Sequence, residues 1–263
     1  MAYGLTDEND LVGFDLSDPT NLITAGAISG LGGQDLIGID FRPSNGKLYG
    51  VGSFGGVFTI DTTTFAATLV STMDQPLNGS RHGFDFNPVP DRLRLTSDTD
   101  QNLRVNVDTG ATIIDSTLNG AGNENVTSSA YTNNDTNPAT GTTLYGINVN
   151  GAGGLAELVI QNPPNAGVLT TVGSLGLSIS SLSGFDIRYD GNTNWAYAIL
   201  QNKADGVSGL YSIDLMTGAA TPLGIVGGGD LFDGLAITPV PEPASMVALG
   251  LGAAAMLRRR RKA

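Results

Sequence analysis

The chain has 263 residues, 40% of them apolar and only 14% charged, with 37 glycines and no cysteine. That balance suits one large all-β domain or two small ones, and it excludes a disulfide framework or a thiolate metal site. The formal net charge is −12, yet five of the 13 basic residues lie at 258–262 and a single acid, Glu242, lies beyond 240. The body therefore carries 8 basic and 24 acidic groups, a net charge of −16 that repels phosphate backbones and excludes nucleic acid as a partner.

The first ten residues contain no basic n-region, no apolar core and no small-residue cleavage site, so they do not read as a secretory leader. Three strands are expected at 2–5, 10–16 and 21–28. A pattern then recurs: Gly38-Ile39-Asp40-Phe41-Arg42-Pro43, Gly83-Phe84-Asp85-Phe86-Asn87-Pro88 and Gly184-Phe185-Asp186-Ile187. Weaker echoes are Ser129-Ala130-Tyr131-Thr132 and Gly234-Leu235-Ala236-Ile237. The starts at 38, 83, 129, 184 and 234 are 45, 46, 55 and 50 residues apart.

Each unit continues with a second strand (47–51, 92–95, 143–147, 195–199) and a third (57–60, 102–105, 155–159, 210–213). A turn of the kind Asp214-Leu215-Met216-Thr217-Gly218 follows, shorter in Asp108-Thr109-Gly110, and then a last strand such as 66–70. Aspartate accepts the turn's own N–H groups and glycine supplies positive φ. The third unit replaces this chemistry with Gln161-Asn162-Pro163-Pro164-Asn165. Four short strands every 45–50 residues predict a β-propeller. The fifth unit has one strand left, and the three N-terminal strands complete it, which predicts five four-stranded blades closed by both ends of the domain. Six blades would require splitting the long third unit.

Asp40, Asp85 and Asp186 share one place in three units. They are candidates for a channel cation site, with Ca²⁺ as the hard cation such oxygens would take. The competing expectation is that each carboxylate accepts backbone N–H groups of the adjoining blade and locks the ring. Arg42, Arg81, Arg92, Arg94 and Arg104 could clamp an anion. Alternatively, Arg94 and Arg104 pair with an aspartate such as Asp91 or Asp108. His82, the single histidine, has no nucleophile motif beside it and reads as structural. Tyr49, Tyr145, Tyr197 and Trp195 read as packing between blades.

Beyond residue 238 the chain changes character. Val240-Pro241-Glu242-Pro243 is stiff, 244–257 is apolar, and Arg258-Arg259-Arg260-Arg261-Lys262 is a basic stop. Fourteen residues rise only about 21 Å as a helix, short of the roughly 30 Å hydrocarbon core. The three parts in this order resemble a bacterial PEP-CTERM sorting signal. The resemblance implies an exosortase partner, cleavage near Pro-Glu-Pro, and transient membrane anchorage with the basic cluster on the cytoplasmic side. Export then implies a leader absent from this sequence. Residues 3–238 resemble a bacterial domain-of-unknown-function family, number 4394. Its match rests on the 38–43 and 83–94 segments, Gln101-Asn102-Leu103-Arg104-Val105-Asn106, Ala130-Tyr131-Thr132-Asn133 and Gln161–Asn165. It implies a secreted β domain and no catalytic residue.

The chain is thus expected to divide into a propeller at 1–238, with no catalytic residue assigned, and a sorting tail at 239–263 ending in a short apolar helix. The expected function is non-catalytic binding or scaffolding at the cell surface or in the extracellular matrix, with exopolysaccharide in a biofilm as partner. The alternative is a metal-dependent hydrolase or lyase with its site in the channel.

Overall fold

The computed structural model describes residues 1–122, 124–137 and 139–239. The sorting motif, the expected apolar helix and the basic cluster lie outside the described residues. Twenty strands form five four-stranded antiparallel sheets. The chain begins with β1 (Ala2–Thr6), β2 (Asp10–Asp15) and β3 (Asp18–Ala27). Blade I follows with β4 (Leu36–Phe41), β5 (Leu48–Gly52), β6 (Gly56–Ile60) and β7 (Ala67–Thr72). Blade II holds β8 (His82–Asn87), β9 (Arg92–Ser97), β10 (Asn102–Val105) and β11 (Thr112–Ile114). Blade III holds β12 (Val126–Tyr131), β13 (Leu144–Asn148), β14 (Glu157–Gln161) and β15 (Leu169–Ser174). Blade IV holds β16 (Ile179–Tyr189), β17 (Asn194–Asn202), β18 (Ser208–Ile213) and β19 (Ala220–Ile225). Blade V joins β20 (Phe232–Ile237) to β1, β2 and β3.

Blade V closes the ring as the strand pattern requires. Strand β1 runs antiparallel to β20, with Ala2 opposite Ile237, Tyr3 opposite Ala236 and Leu5 opposite Gly234. Closure leaves no open row of innermost strand edges to template aggregation. Inner strands are buried along nearly their whole length, as in β12, while the outermost β7 and β19 are largely exposed. This follows from packing: a blade is covered by neighbours on both faces near the axis and fans apart at the rim. The core is accordingly a set of interblade layers, such as Val51, Val57, Phe86, Leu93, Leu95 and Leu103 between blades I and II.

Local chemistry sets the turns. Asp61 Oδ1 accepts the N–H groups of Thr63 and Thr64, each at 2.8 Å, and Asp214 Oδ1 does the same for Met216 and Thr217. Gly218 closes the latter turn at φ +80°, where a side chain would be strained. A different demand acts at Gly184. Any Cβ there would collide with the backbone of Gly234 on the neighbouring innermost strand. Glycine lets blades IV and V approach at the axis.

Register corrects one sequence expectation. Phe84, Asp85 and Phe86 face Leu95, Arg94 and Leu93, while Ser129, Ala130 and Tyr131 face Gly146, Tyr145 and Leu144. The residue equivalent to Gly83 is therefore Ser128, not Ser129, and Ala130 stands where blade II has Asp85. The spacing is in fact regular, 45 residues from Gly38 to Gly83 and 45 from Gly83 to Ser128, but blade III lacks the Gly-x-Asp signature that marks the place in blades I, II and IV. Trp195 is also corrected. It is 50% exposed, with Nε1 donating to Asp190 Oδ2 at 2.8 Å, and it does not pack between blades. Tyr49 does, meeting Phe86 edge-on at 5.5 Å.

Candidate functional site

The five innermost strands bring three polar layers to the axis. The deepest is the aspartate trio. Asp40, Asp85 and Asp186 are buried, and their ligand-capable oxygens lie within 4.8 Å of one another. Asp40 Oδ1 accepts its neighbour Phe41 N–H at 2.6 Å, and Oδ2 accepts Phe86 N–H of blade II at 2.9 Å. Asp186 Oδ1 accepts Ile187 N–H and Oδ2 accepts Ile237 N–H of blade V, both at 2.6 Å. Asp85 Oδ2 accepts Tyr131 N–H of blade III.

The arithmetic is informative. Equivalent N–H groups of all five blades point at the axis, but blades III and V carry Ala130 and Ala236 in the aspartate place. Asp40 and Asp186 compensate by serving their own blade as well as the next. Five carboxyl oxygens are thereby spent on five N–H groups, leaving Asp85 Oδ1. Asp85 and Asp40 also hydrogen bond to each other, and the spare oxygen is the place for the shared proton.

Electrostatics agrees with a protonated cluster. Burial, set against hydrogen bonds from Asp85 and the backbone, raises Asp40 to about 6. Asp85 lies well above the usual carboxylate range, through burial first and then the Asp40 charge. Asp186 is raised by burial and by Asp40. Close like charges cannot all ionise in a low-dielectric site. The ring-locking expectation thus has direct geometric support. A cation would compete with N–H groups already seated on most of these oxygens, and three ligand atoms fall short of the six to eight that Ca²⁺ takes.

Above the trio along the strands lies a hydroxyl layer. Thr127 Oγ1 and Ser183 Oγ are 2.7 Å apart, and Ser183 Oγ donates to Ser128 Oγ at 3.3 Å. Above that opens a hollow of about 430 Å³ where the innermost strands begin. Its lining comes from all five blades and includes Asp35, Arg81, Thr127, Ser183 and Asp233. Arg81 reaches across the ring to Asp233 at 2.5 Å. His82 also faces the hollow, 7% exposed, and neither ring nitrogen has a hydrogen-bond partner among the described residues. Burial holds its pKa below the usual value, so the ring is neutral.

Arg42, Arg94 and Arg104 are also paired, the last two with a different aspartate from those expected, while Arg92 has no ion-pair partner among the described residues. Arg42 forms two-pronged contacts with Asp91 (2.9 and 2.7 Å) and Asp108 (2.7 and 2.8 Å). Arg94 and Arg104 instead share Asp115, at 2.6 and 2.7 Å. Asp115 lies just beyond β11 on the blade rim, too far along the chain for spacing to suggest it. Two loops rich in Asp and Asn, at 98–102 and 133–135, act as turns: Asp98 caps Ser80, and Asp135 accepts Asn137 N–H.

A closed ring of five four-stranded blades defines a β-propeller. The chain belongs to the family described as Domain of unknown function (DUF4394), whose model matches residues 10–236. The PEP-CTERM protein-sorting motif matches residues 239–262. The signal marks an exported protein of the cell surface, processed by an exosortase and transiently anchored in the membrane. No curated protein matches the chain in sequence. Among solved structures, one from a nidogen/laminin complex is similar over 91% of this chain and 98% of its own, with TM-score 0.51 and 10% identity. A structural-genomics protein of unknown function from Bacteroides thetaiotaomicron covers 88% of this chain and 62% of its own, with TM-score 0.54 and 13% identity. At such identities the likeness concerns the fold alone.

Proposed function

We propose that this propeller is a non-catalytic binding or scaffolding module of the cell envelope or extracellular matrix, taking a hydroxyl-rich ligand at the channel mouth. A segment of exopolysaccharide is the ligand class that fits. One observation carries the reading: all five blades converge on a single hollow lined mainly by serine, threonine and charged side chains. Such lining suits a solute recognised by many hydrogen bonds. His82 has no hydroxyl within hydrogen-bond reach, which favours binding over nucleophilic chemistry at this mouth. The test is a glycan screen with purified protein and its Arg81→Gln variant. Saturable binding to a neutral oligosaccharide, weakened in the variant, is expected. An empty screen, or a variant that binds as well as the parent, refutes the assignment.

A second reading, a metal-dependent hydrolase or lyase, is favoured by the close approach of Asp40, Asp85 and Asp186. There the trio would hold a divalent ion that polarises substrate. Elemental analysis decides between them: stoichiometric metal with heat stability lost on chelation supports the ion, and indifference to chelator removes it.

A further inference from the structure

The second strands hold a repeated position that blade II alone departs from. Opposite the aspartate place stand Tyr3, Tyr49, Tyr145 and Tyr197, but blade II has Arg94. Arg94 lies directly across from Arg104 on the next strand. Arg92 is two residues earlier on β9 and so projects from the same face. Three guanidinium groups therefore share one face of one sheet, turned toward blade III. Like charges set opposite each other on a sheet are destabilising. Such an arrangement in a chain with only eight basic residues before the tail asks for a reason.

The three arginines line a cleft of about 310 Å³ between blades II and III, completed by Asn87, Pro90, Tyr131, Pro164 and Asn165. Arg94 is structural. Only 2% exposed, it donates to Tyr131, Asn102, Asp115 and Asn165 at 2.6–3.3 Å, fastening blade II to blade III. Arg104 spends Nε and Nη2 on Asp115, leaving Nη1 without a partner among the described residues. Arg92 donates only from Nη1, to the carbonyls of Pro90 and Asp91. Its Nε and Nη2 are unspent, and it has no ion-pair partner among the described residues. The acids that might have neutralised it are taken, since Asp91 and Asp108 are both gripped by Arg42. Free donors of Arg92 and Arg104 thus border a walled cleft that no carboxylate lines among the described residues, and Asp115, which holds Arg104, is already shared with Arg94.

We infer that the cleft between blades II and III is an oxyanion-binding site, in which Arg92 and Arg104 clamp a carboxylate, sulfate or phosphate group on a small solute or a polymer unit. The guanidinium fork matches the geometry of these groups, and charge-assisted hydrogen bonds are the strong ones. The prolines and Tyr131 supply the apolar walls that a sugar or similar ring would meet. This site lies at the opposite ends of the innermost strands from the channel mouth and stands on different residues, so neither depends on the other.

The test titrates glucuronate, inorganic sulfate and inorganic phosphate separately into the parent protein and the Arg92→Gln/Arg104→Gln double variant, by calorimetry at low and moderate ionic strength. Arg188→Gln, on another blade, is the control. Binding that weakens with salt is expected for at least one anion, with about a tenfold or greater loss in the double variant and none in the control. The strongest of the three identifies the group: glucuronate points to a carboxylated sugar, the inorganic ions to sulfate or phosphate esters. Arg94 is left in place, and unchanged thermal unfolding of the double variant shows that the fold survives. If none of the anions binds, or the double variant binds like the parent, the inference is overturned. If the double variant unfolds early, Arg92→Gln alone decides by the same criterion, because the Arg92 side chain makes no hydrogen bond or ion pair with blade III among the described residues.

Discussion

Asp85→Asn is the most revealing perturbation of the axis. An asparagine there can accept the Tyr131 N–H through Oδ1 and donate from Nδ2 to Asp40, reproducing the protonated acid without its proton. The native cluster should make stability fall as pH rises. Asp40 is raised from 3.8 to about 6, so the folded state binds the extra proton. Its contribution is complete below about pH 4 and is lost as pH climbs through 6. A shift of about two units at roughly 1.36 kcal/mol each amounts to about 3 kcal/mol. Asp85 and Asp186 act in the same direction and extend the loss to higher pH. His82 acts oppositely, being held neutral, but it is common to both proteins and cancels in their difference. Asp91 and Asp108, lowered by Arg42, lose their contribution only as pH falls below the ordinary carboxylate value. Urea unfolding followed by circular dichroism at pH 5 and 8.5 is the assay. About half of the Asp40 contribution remains at pH 5, so the parent should lose more than about 1 kcal/mol across that interval, with Asp85 adding to the loss, and the variant, lacking the Asp85 share, should lose less. A variant less stable than the parent at pH 8.5, with the same pH slope, would show that Asp85 does not carry the shared proton.

Three further outcomes are expected. Ala130→Asp places a fourth acid at the axis where Asp186 already holds the Ile187 N–H, so it should destabilise by about 3 kcal/mol at pH 8 and less at pH 5; equal stability at both pH values counts against the ring scheme. Arg42→Ala frees two aspartates from their common partner and should cost about 2 kcal/mol, with Asp91 partly exposed; thermal unfolding within a degree of the parent contradicts it. Replacing Glu242 and the flanking Pro241 and Pro243 by alanine should leave an uncleaved precursor in the membrane fraction of an exosortase-bearing host, and normal processing on an immunoblot rejects that role for the motif.

Much of the architecture was legible because propeller chemistry is local. The Gly-x-Asp segments mark innermost strands, the Asp and Gly turns mark hairpins, and an orphan strand at 234 beside three at the start implies closure. The aspartates were legible as a group for the same reason. Their division of labour was not, because it depends on which residues of blades III and V share their place, and blade III has neither the glycine nor the aspartate that would mark that place. The Arg81–Asp233 contact joins residues 152 positions apart, and nothing in either local segment announces it. Asp115 was missed as the partner of Arg94 and Arg104 because outer-strand register is set by turns whose lengths vary between blades. The shared arginine face could have been found, since 92, 94 and the pairing of 94 with 104 follow from strand alternation once the hairpin is placed.

The N–H of Thr238 donates to the carbonyl of Met1 at 3.1 Å, so the two sides of the ring's seam meet at one corner. A ribosome or translocase delivers β20 after every other strand, and the gap between blades IV and I stays open until that strand slides in. The same strand leads directly into the anchoring tail. Any pull on the tether therefore loads the last-seated stave of the wheel, and residues 1 and 238 could be spliced together, with the chain opened at a rim turn elsewhere, to move the load off it.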